Sequence, residues 1–458
     1  MSIHFSQGKL QGEERKSILQ EVQTQAKAAA LRAIKPVLSA FLEEELTAKL
    51  GRGKREPRRV SGQPRTIDWQ CGSCGCSDAN PFIRDGHYRR NLETGWGELE
   101  DLQIPMLECQ QCLHDVVVYW TIVEKFKRFW LDLDQEVLFG SGLCQSLHDL
   151  SERWSAILGS SVGLRTIIER IHQIELLLQQ AHQEPITDVP TVMQFDGIWV
   201  RIQRQTETIK LDKRQRRRHQ RNGKRGVILV ALGFWNDGSG RREVLDWQIA
   251  TSEEHTEWEA LLHRWWQRGL QPEKGLQMVV CDGSGGLGEA VALVYGSQVI
   301  EQRCLFHTLR NVTDACRSDC KGEEKKAEKQ QFLEQASAIY DAPSAQEARQ
   351  RLLTCADTWR EQTPKGVATL ERDFEQTITY YRLPDVARNW TRTTSLLERT
   401  NRQLRRKFRQ VGSFASEKGA EIAVYLQVQR LNARWSKDKK TWWEVSHSLY
   451  FDFLALNP

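Results

Sequence analysis

A mixed five-stranded α/β sheet with helices on its faces is the fold class predicted for residues 188–307, and three observations predict it. At about residue 191 the apolar periodicity changes from helical to strand-like, giving the runs VMQFDGIWVRI, VILVALGFW and REVLDWQIA. Helices and strands then alternate: EEHTEWEALLHRWWQRGL reads as a helix, MVVC as a strand, GEAVALVYG as a helix and SQVIEQRCLF as a fifth strand. A meander feeding a βαβ pair gives a sheet with both antiparallel and parallel neighbours. Beyond residue 307 the chain reads as helical to its end, as an all-helical charged stretch at 308–390 and final helices at 391–458. Trp199, Trp235, Trp247, Trp258, Trp265 and Trp266 fall inside the core elements, where packing is the expected role for most.

Ahead of the sheet, residues 1–52 form a helical region whose apolar stripe is broken at Pro36, and residues 53–68 a basic linker too polar to pack. The segment 69–125 carries Cys71-x-x-Cys74 and Cys109-x-x-Cys112. Two such knuckles suit four thiolates around one tetrahedral Zn²⁺, a structural site because four protein ligands leave no position for a reacting water. Cys76 competes with Cys74 for its place, and His87 is an outside candidate. Residues 126–187 read as helices joined by short turns. Within them two helices flank a turn at Gly159-Ser160, with Ser161 available as N-cap, which is the helix-turn-helix pattern. In that reading Ser161 to Arg170 enters a DNA major groove; the plain alternative is a helical hairpin.

At 458 residues the chain exceeds what one core usually organises. A net charge of +5 is modest, but cations concentrate at 52–65, 210–225 and 399–409, and such clustering marks a polyanion partner better than the sum does. Nine of the thirteen residues from Lys213 to Arg225 are Lys, Arg or His, including Arg214, Arg216, Arg217, Arg218 and Arg221. They form an expected loop between the first two strands that would contact DNA; the plain reading is a solvated loop. No run of about 18 apolar residues appears, so no membrane partner is expected. With no apolar leader at the N-terminus, eleven cysteines read as thiols of a reducing, cytoplasmic, nucleoid-associated protein.

Three acidic residues sit at separate structural signals. Asp196 and Asp282 each end an apolar strand and precede a glycine, where an Asp-Gly turn is the ordinary alternative. Glu398 opens the basic helix of TTSLLERTNRQLRRKF, with Arg402, Arg405 and Arg409 at three- or four-residue steps beyond it. One helical face then joins a carboxylate to a cationic strip suited to phosphate oxygens. The competing use of Glu398 is a capping box with Ser395. Two strand-end carboxylates and a third on a helix are what Mg²⁺-dependent phosphodiester chemistry requires. Gly283-x-Gly285-x-x-Gly288, with Glu301 beyond, also fits a dinucleotide fingerprint, but the strand–helix alternation that should follow is absent. Asp212, Asp237, Asp246 and Glu289 read as solvated charges.

The order strand, Asp196, two strands, helix, strand, Asp282, helix, strand, helical stretch, Glu398 resembles the DDE transposases with a ribonuclease H-like core. More closely it resembles the Mutator-type, IS256-like group of insertion-sequence transposases. Cys304-Leu305-Phe306-His307 is similar to that group's C-x-x-H signature, and Thr394–Asn401, TSLLERTN, to its glutamate motif, usually written with Asn where Ser395 stands. The zinc-ribbon-like segment is not typical of the group. The resemblance implies that Asp196, Asp282 and Glu398 hold two Mg²⁺ (or Mn²⁺) ions for cleavage at transposon ends and strand transfer of the 3′-hydroxyl. It implies double-stranded DNA partners, terminal inverted repeats and target, and a homodimer or larger assembly. For Cys304 and His307, packing below the sheet end and a catalytic contribution are equally open. The rival readings are a non-catalytic DNA-binding regulator or decayed transposase, and a nuclease that cuts without joining.

Overall fold

The computed structural model describes residues 12–56, 69–79, 81–123, 131–211, 213, 215–283, 285–320, 322 and 325–456. The chain divides into two compact units. The first contains Met1–Ser141 and Leu147–Ile171, with Leu454–Pro458. Its helix α1, Gly12–Leu50, runs unbroken through Pro36. Leu38, Leu42, Leu46 and Leu50 recur at four-residue steps, so they share one helix face. That face is buried against Phe82, Leu99, Ile104 and their neighbours. Burying it outweighs the backbone bond that a proline forfeits. The partner surface is a three-stranded antiparallel sheet of β1 (Phe82–Thr94), β2 (Gly97–Cys109) and β3 (His114–Val116).

Helices α2 (Leu131–Gly142), α3 (Leu147–Leu158) and α4 (Leu164–His172) follow. The turn expected at Gly159 is present, with Gly159 at φ +66°, a left-handed value glycine adopts without penalty. The second helix starts later than expected. It opens at Leu164, with the Ile167 N–H reaching the Gly163 carbonyl, so Ser161 is not its N-cap. Arg170, the last residue of the segment expected to enter a groove, is buried and donates to Asp134 at 3.2 Å. A guanidinium so committed is not free to meet a base.

The second unit, Gly142–Ser146 with His172–Phe453, holds the large sheet. After α5 (Glu175–Gln183) come β4 (Val192–Leu211), β5 (Arg217–Phe234), β6 (Arg242–Ala250), α6 (His255–Arg268), β7 (Met278–Cys281), α7 (Gly285–Tyr295) and β8 (Ile300–Arg303). The strand order is β6-β5-β4-β7-β8. Strands β4, β5 and β6 pair antiparallel, whereas β7 runs parallel to both β4 and β8. This is the expected mixed five-stranded sheet. The fifth strand is shorter than predicted, because Cys304 already caps the next helix. One face buries Met193, Phe195, Leu229 and Val279 against Trp258, Leu261 and Trp265 of α6 and Leu287 and Val291 of α7.

The basic segment 210–225 corrects the sequence reading. Most of it is not a loop but a two-stranded ribbon, Val200↔Gly226 to Gln205↔Arg221 and, after a bulge, Ile209↔His219 to Leu211↔Arg217, with a turn only at its tip, where 213, 215 and 216 are described. Antiparallel pairing satisfies the backbone while the charged side chains stay in water, so a polar ribbon costs little.

The remaining helices are α8 (Leu305–Asp319), α9 (Lys326–Ala338), α10 (Ala345–Trp359), α11 (Pro364–Arg372), α12 (Phe374–Thr377), α13 (Arg388–Thr391), α14 (Ser395–Val411), α15 (Glu417–Trp435) and α16 (Trp442–Leu456). Two fully buried glutamines tie them to the sheet. Gln194 of β4 donates to the Trp390 and Thr393 carbonyls, each at 2.8 Å, and accepts from the Leu397 N–H. Gln302 of β8 donates to the Thr377 carbonyl at 2.9 Å and accepts from the Tyr380 N–H and Thr379 hydroxyl.

Candidate active site and thiolate centre

Strand β7 covers β4 only from Val192 to Gln194. Asp196 lies two residues past that seam, and Asp282 directly follows the last residue of β7. The two therefore share the sheet end where these parallel strands part, the usual ligand position in such sheets. Asp196 is not at a strand terminus, as the sequence suggested. It faces Val230 in the middle of the β4–β5 ladder, and Gly197 faces Leu229, which removes the Asp-Gly turn reading. Gly197 makes room here: a Cβ would press on the Glu253 carboxylate and lie 2.8 Å from Val227 Cγ2.

Glu398 arrives on the first turn of α14. Gln194 clasps the residues just before that helix, and Cys304 Sγ accepts from both the N–H and the hydroxyl of Thr394 at 3.3 Å. The capping-box alternative is not realised, since the N-cap is Thr394 and it has no side-chain cap bond. The Glu398 carboxylate instead stands 3.8 Å from His307 Nε2 on α8. One turn further, fully buried Asn401 donates from Nδ2 to Asp196 Oδ2 at 2.7 Å, while the Gly197 N–H holds Oδ1 at 2.8 Å.

The electrostatics describe a cluster of acids that raise one another, with Arg405 opposing at Asp196. Burial, reinforced by the nearby Asp282 carboxylate, pushes the Asp196 carboxyl above its ordinary range despite the Asn401 and Gly197 bonds. Glu253, just ahead of α6, is raised by burial and by Asp196 and Asp282 together. His307 is raised by the Cys304 side chain beside it and by Asp282 and Glu398. Burial pushes the Cys304 thiol up, but its bonds with His307 and Thr394 outweigh that and hold it below its usual value. Glu398 Oε1 is buried with no hydrogen-bond partner, as is Asn401 Oδ1. Oxygen donors left in this state suit a hard divalent cation. The carboxylate oxygens are nevertheless not drawn within 4.8 Å of one another as a set.

The cations expected on α14 diverge. Arg405 is half-buried near Asp196, whereas Arg402 and Arg409 are exposed. Lys213, Arg216, Arg217 and Arg218 are exposed on the β4–β5 ribbon, Arg221 occupies a ribbon position opposite Gln205, and Arg214 lies outside the described residues. Glu301 does not act as a ribose acid, because its carboxylate is turned onto α7 at Gly288 and accepts from the Cys281 thiol.

The thiols resolve cleanly. Cys71, Cys74, Cys109 and Cys112 bring their Sγ atoms within 4.8 Å of one another, the one such group among the described residues. Sγ separations are 3.6 Å for Cys71–Cys112 and 3.8 Å for Cys74–Cys109. A tetrahedral ion with metal–sulfur bonds of about 2.3 Å needs about 3.8 Å between sulfurs. The backbone N–H of Cys74 leads the interactions that hold the Cys71 thiol down to about 6, whereas burial leads in pushing its neighbour Cys112 up to about 12, so the thiols titrate as one group. Cys76 is outside the set, its thiol turned to the Asp78 carbonyl, and His87 bonds Glu43 at 3.1 Å.

Sequence reasoning missed Glu253 and Asn401, which carry no periodicity or spacing signal of their own; only the Asn of TSLLERTN lay within a motif. It also misread Asp246. This residue is 1% exposed and accepts from His182 at 2.7 Å, Trp265 Nε1 at 2.6 Å and Arg268, with Arg264 at 3.6 Å. A carboxylate inside a strand at a bulge, flanked by apolar residues, is solvated only when nothing packs over it, and here α6 does. Trp199 departs from its core expectation as well, being 50% exposed, whereas Trp235, Trp247, Trp258 and Trp265 are buried.

The family model described as Transposase, Mutator family matches residues 7–438. The chain is 24% identical over 381 residues to the transposase for insertion sequence element ISRM5 of Rhizobium meliloti, covering 82% of this chain and 80% of that one. It is 24% identical to the transposase for IS256 in transposon Tn4001 of Staphylococcus aureus, over 77% of this chain and 82% of the relative. It is 22% identical to the transposase for IS1201 of Lactobacillus helveticus, over 86% and 92% respectively. A match of that extent shows the family, and the chain belongs to the Mutator family of transposases.

Proposed function

We propose that this chain is a DDE-type DNA transposase on a ribonuclease H-like core, formed by residues 188–307 and 391–458 around a helical insertion at 308–390. It cleaves DNA at the terminal inverted repeats of an insertion sequence and transfers the freed 3′-hydroxyl into target DNA. One observation supports the reading: Asp196, Asp282 and Glu398, far apart in sequence, lie around one sheet end, near enough for Asp282 to act on Asp196 and for Asp282 and Glu398 to act on His307, and a buried Glu398 oxygen has no hydrogen-bond partner.

Asp196, Asp282 and Glu398 would hold two Mg²⁺ or Mn²⁺ ions. When bound, such a pair lowers the pKa of an attacking water and steadies the departing oxygen. The chain's own residues set the stage. Asn401 and the Gly197 N–H fix both oxygens of Asp196, and Cys304 anchors the start of α14 so that Glu398 faces the same space. Arg405, with Arg402 and Arg409, grips phosphate oxygens along the approaching strand. In cleavage, a water oxygen bonds to phosphorus, the P–O3′ bond breaks, and the 3′-hydroxyl leaves carrying the proton. In joining, that hydroxyl attacks a target phosphodiester and releases a target 3′-hydroxyl. The ribbon residues Lys213, Arg214, Arg216, Arg217, Arg218 and Arg221 add non-specific attraction that falls steeply with salt.

The region 69–125 acts as a zinc-ribbon-like module and 126–187 as a helix-turn-helix region, both on double-stranded DNA. Holding two ends and a target calls for a homodimer or larger assembly, in a cytoplasmic, nucleoid-associated setting. The test is Mg²⁺-dependent nicking of a duplex carrying the inverted repeats that bracket the gene, followed by joining to a plasmid. Nicking without joining would mark a nuclease; binding without nicking would mark a regulator. Zinc analysis of purified protein should return one Zn²⁺ per chain, and Cys109→Ser should remove it and unfold the ribbon.

A further inference from the structure

The geometry points to Trp199 as a stacking platform for one unpaired nucleobase of the DNA strand beside the carboxylates. Resting on the DNA-processing reading above, it adds a subsite that the three acids do not define. Trp199 stands two residues beyond Gly197 on β4, so by strand alternation it shares the sheet face that Gly197 presents to Glu253, opposite the Asp196 side chain. It is 50% exposed, while Trp258 and Trp265 on the neighbouring helix are 2% and 0% exposed. Exposure alone does not single it out, since Trp96 and Trp443 are each 44% exposed; its place in a cavity lined by arginines does.

The opening has a structural cause. Strand β7 leaves β4 at Gln194, and the next cover arrives only where Phe414 pairs with it, its N–H donating to the Arg201 carbonyl at 2.9 Å and its carbonyl accepting from Gln203 at 2.8 Å. Between those points, a cavity of about 440 Å³ lies between the strand edge and α14. Its lining includes Trp199, Arg201, Arg225, Arg405, Phe408 and Arg409. Phe408 in turn packs edge-on against Phe414, ring centres 5.6 Å apart, which stiffens the apolar floor. A cavity lined by a half-exposed tryptophan and four arginines matches a nucleotide, with the base on the ring and phosphates on the cations. A base inside a duplex has both faces stacked already, so the occupant must be unpaired or extruded.

The test measures binding, not catalysis, so that it stays readable if the cleavage proposal fails. The probe is a fluorescein-labelled duplex with a five-nucleotide single-stranded overhang, and a series in which each overhang base in turn is abasic. These are titrated against full-length Asp196→Asn protein without divalent ions. One abasic position should weaken binding about tenfold. Trp199→Ala should weaken binding of the intact probe by the same factor yet bind that abasic probe as the parent does, and Trp199→Phe should restore most of the loss. Equal weakening of intact and abasic probes by Trp199→Ala, or a flat abasic series, overturns the proposal. Nicking of inverted-repeat DNA by the wild-type chain is scored separately and bears only on the catalytic reading.

Discussion

Two buried acidic centres sit in the same sheet unit and are treated in opposite ways. Asp246 is enclosed by His182, Trp265, Arg264 and Arg268, so each oxygen is paired and its charge is neutralised within the chain. Burial alone would raise its carboxyl, but those partners outweigh burial and leave it below the ordinary range. Asp196 is raised first by burial and then by Asp282, and one amide, one backbone N–H and the nearby Arg405 do not offset this, so it ends above the ordinary range. The difference separates an acid used to hold the fold from one kept for an external cation. Burial does not distinguish them; compensation does.

The comparison breaks if the two acids respond alike to neutralisation. The largest effect should come from Asp196→Asn, Asp282→Asn or Glu398→Gln, each lowering Mg²⁺-dependent strand cleavage by about a thousandfold or more while thermal stability holds or rises. Loss of stability in step with activity would make Asp196 another structural acid. Next, Asp246→Ala should cost about 3–5 kcal/mol by denaturant unfolding, because two guanidinium groups and an imidazole lose their carboxylate, with cleavage per folded molecule preserved.

The pH response sharpens this further. Because the folded Asp246 carboxyl lies below its unfolded value of about 3.9, its stabilisation is present above that value and lost as pH falls through the lower folded one. Acid unfolding of the wild type should therefore steepen below about pH 4, and Asp246→Ala should flatten that limb. A smaller effect is expected for Glu253→Gln. Removing one of three crowded carboxylates should raise the melting temperature slightly and weaken Mg²⁺ activation about tenfold, read from cleavage against metal concentration. Unchanged metal dependence would confine Glu253 to packing over Gly197.

The elements that announced themselves were those with local signals. Strands flanking Asp196 and Asp282 carried continuous apolar runs, and α14 carried an apolar–basic period, so the three acids stood at changes of pattern. The cysteines were legible for the same reason, two short turns each presenting two sulfurs. The ribbon at 201–225 was not, because strand pairing there is secured by the backbone of a facing segment and leaves no apolar alternation. Glu253 gave no sign either, since the carboxylates that define its role lie tens of residues away.

Sequence by itself determined the order of elements, the sheet's mixed character and which thiols and acids were candidates, because those follow from periodicity and spacing within a few turns of chain. Only the tertiary structure decided which acids go uncompensated, which tryptophan stays in water and which cysteine is left out of the thiolate set. Gln194 reaching Thr393, and Cys304 reaching Thr394, fix Glu398 beside the sheet end across long intervals of sequence. Such contacts exist only once packing has removed water from between them, and no local pattern encodes that.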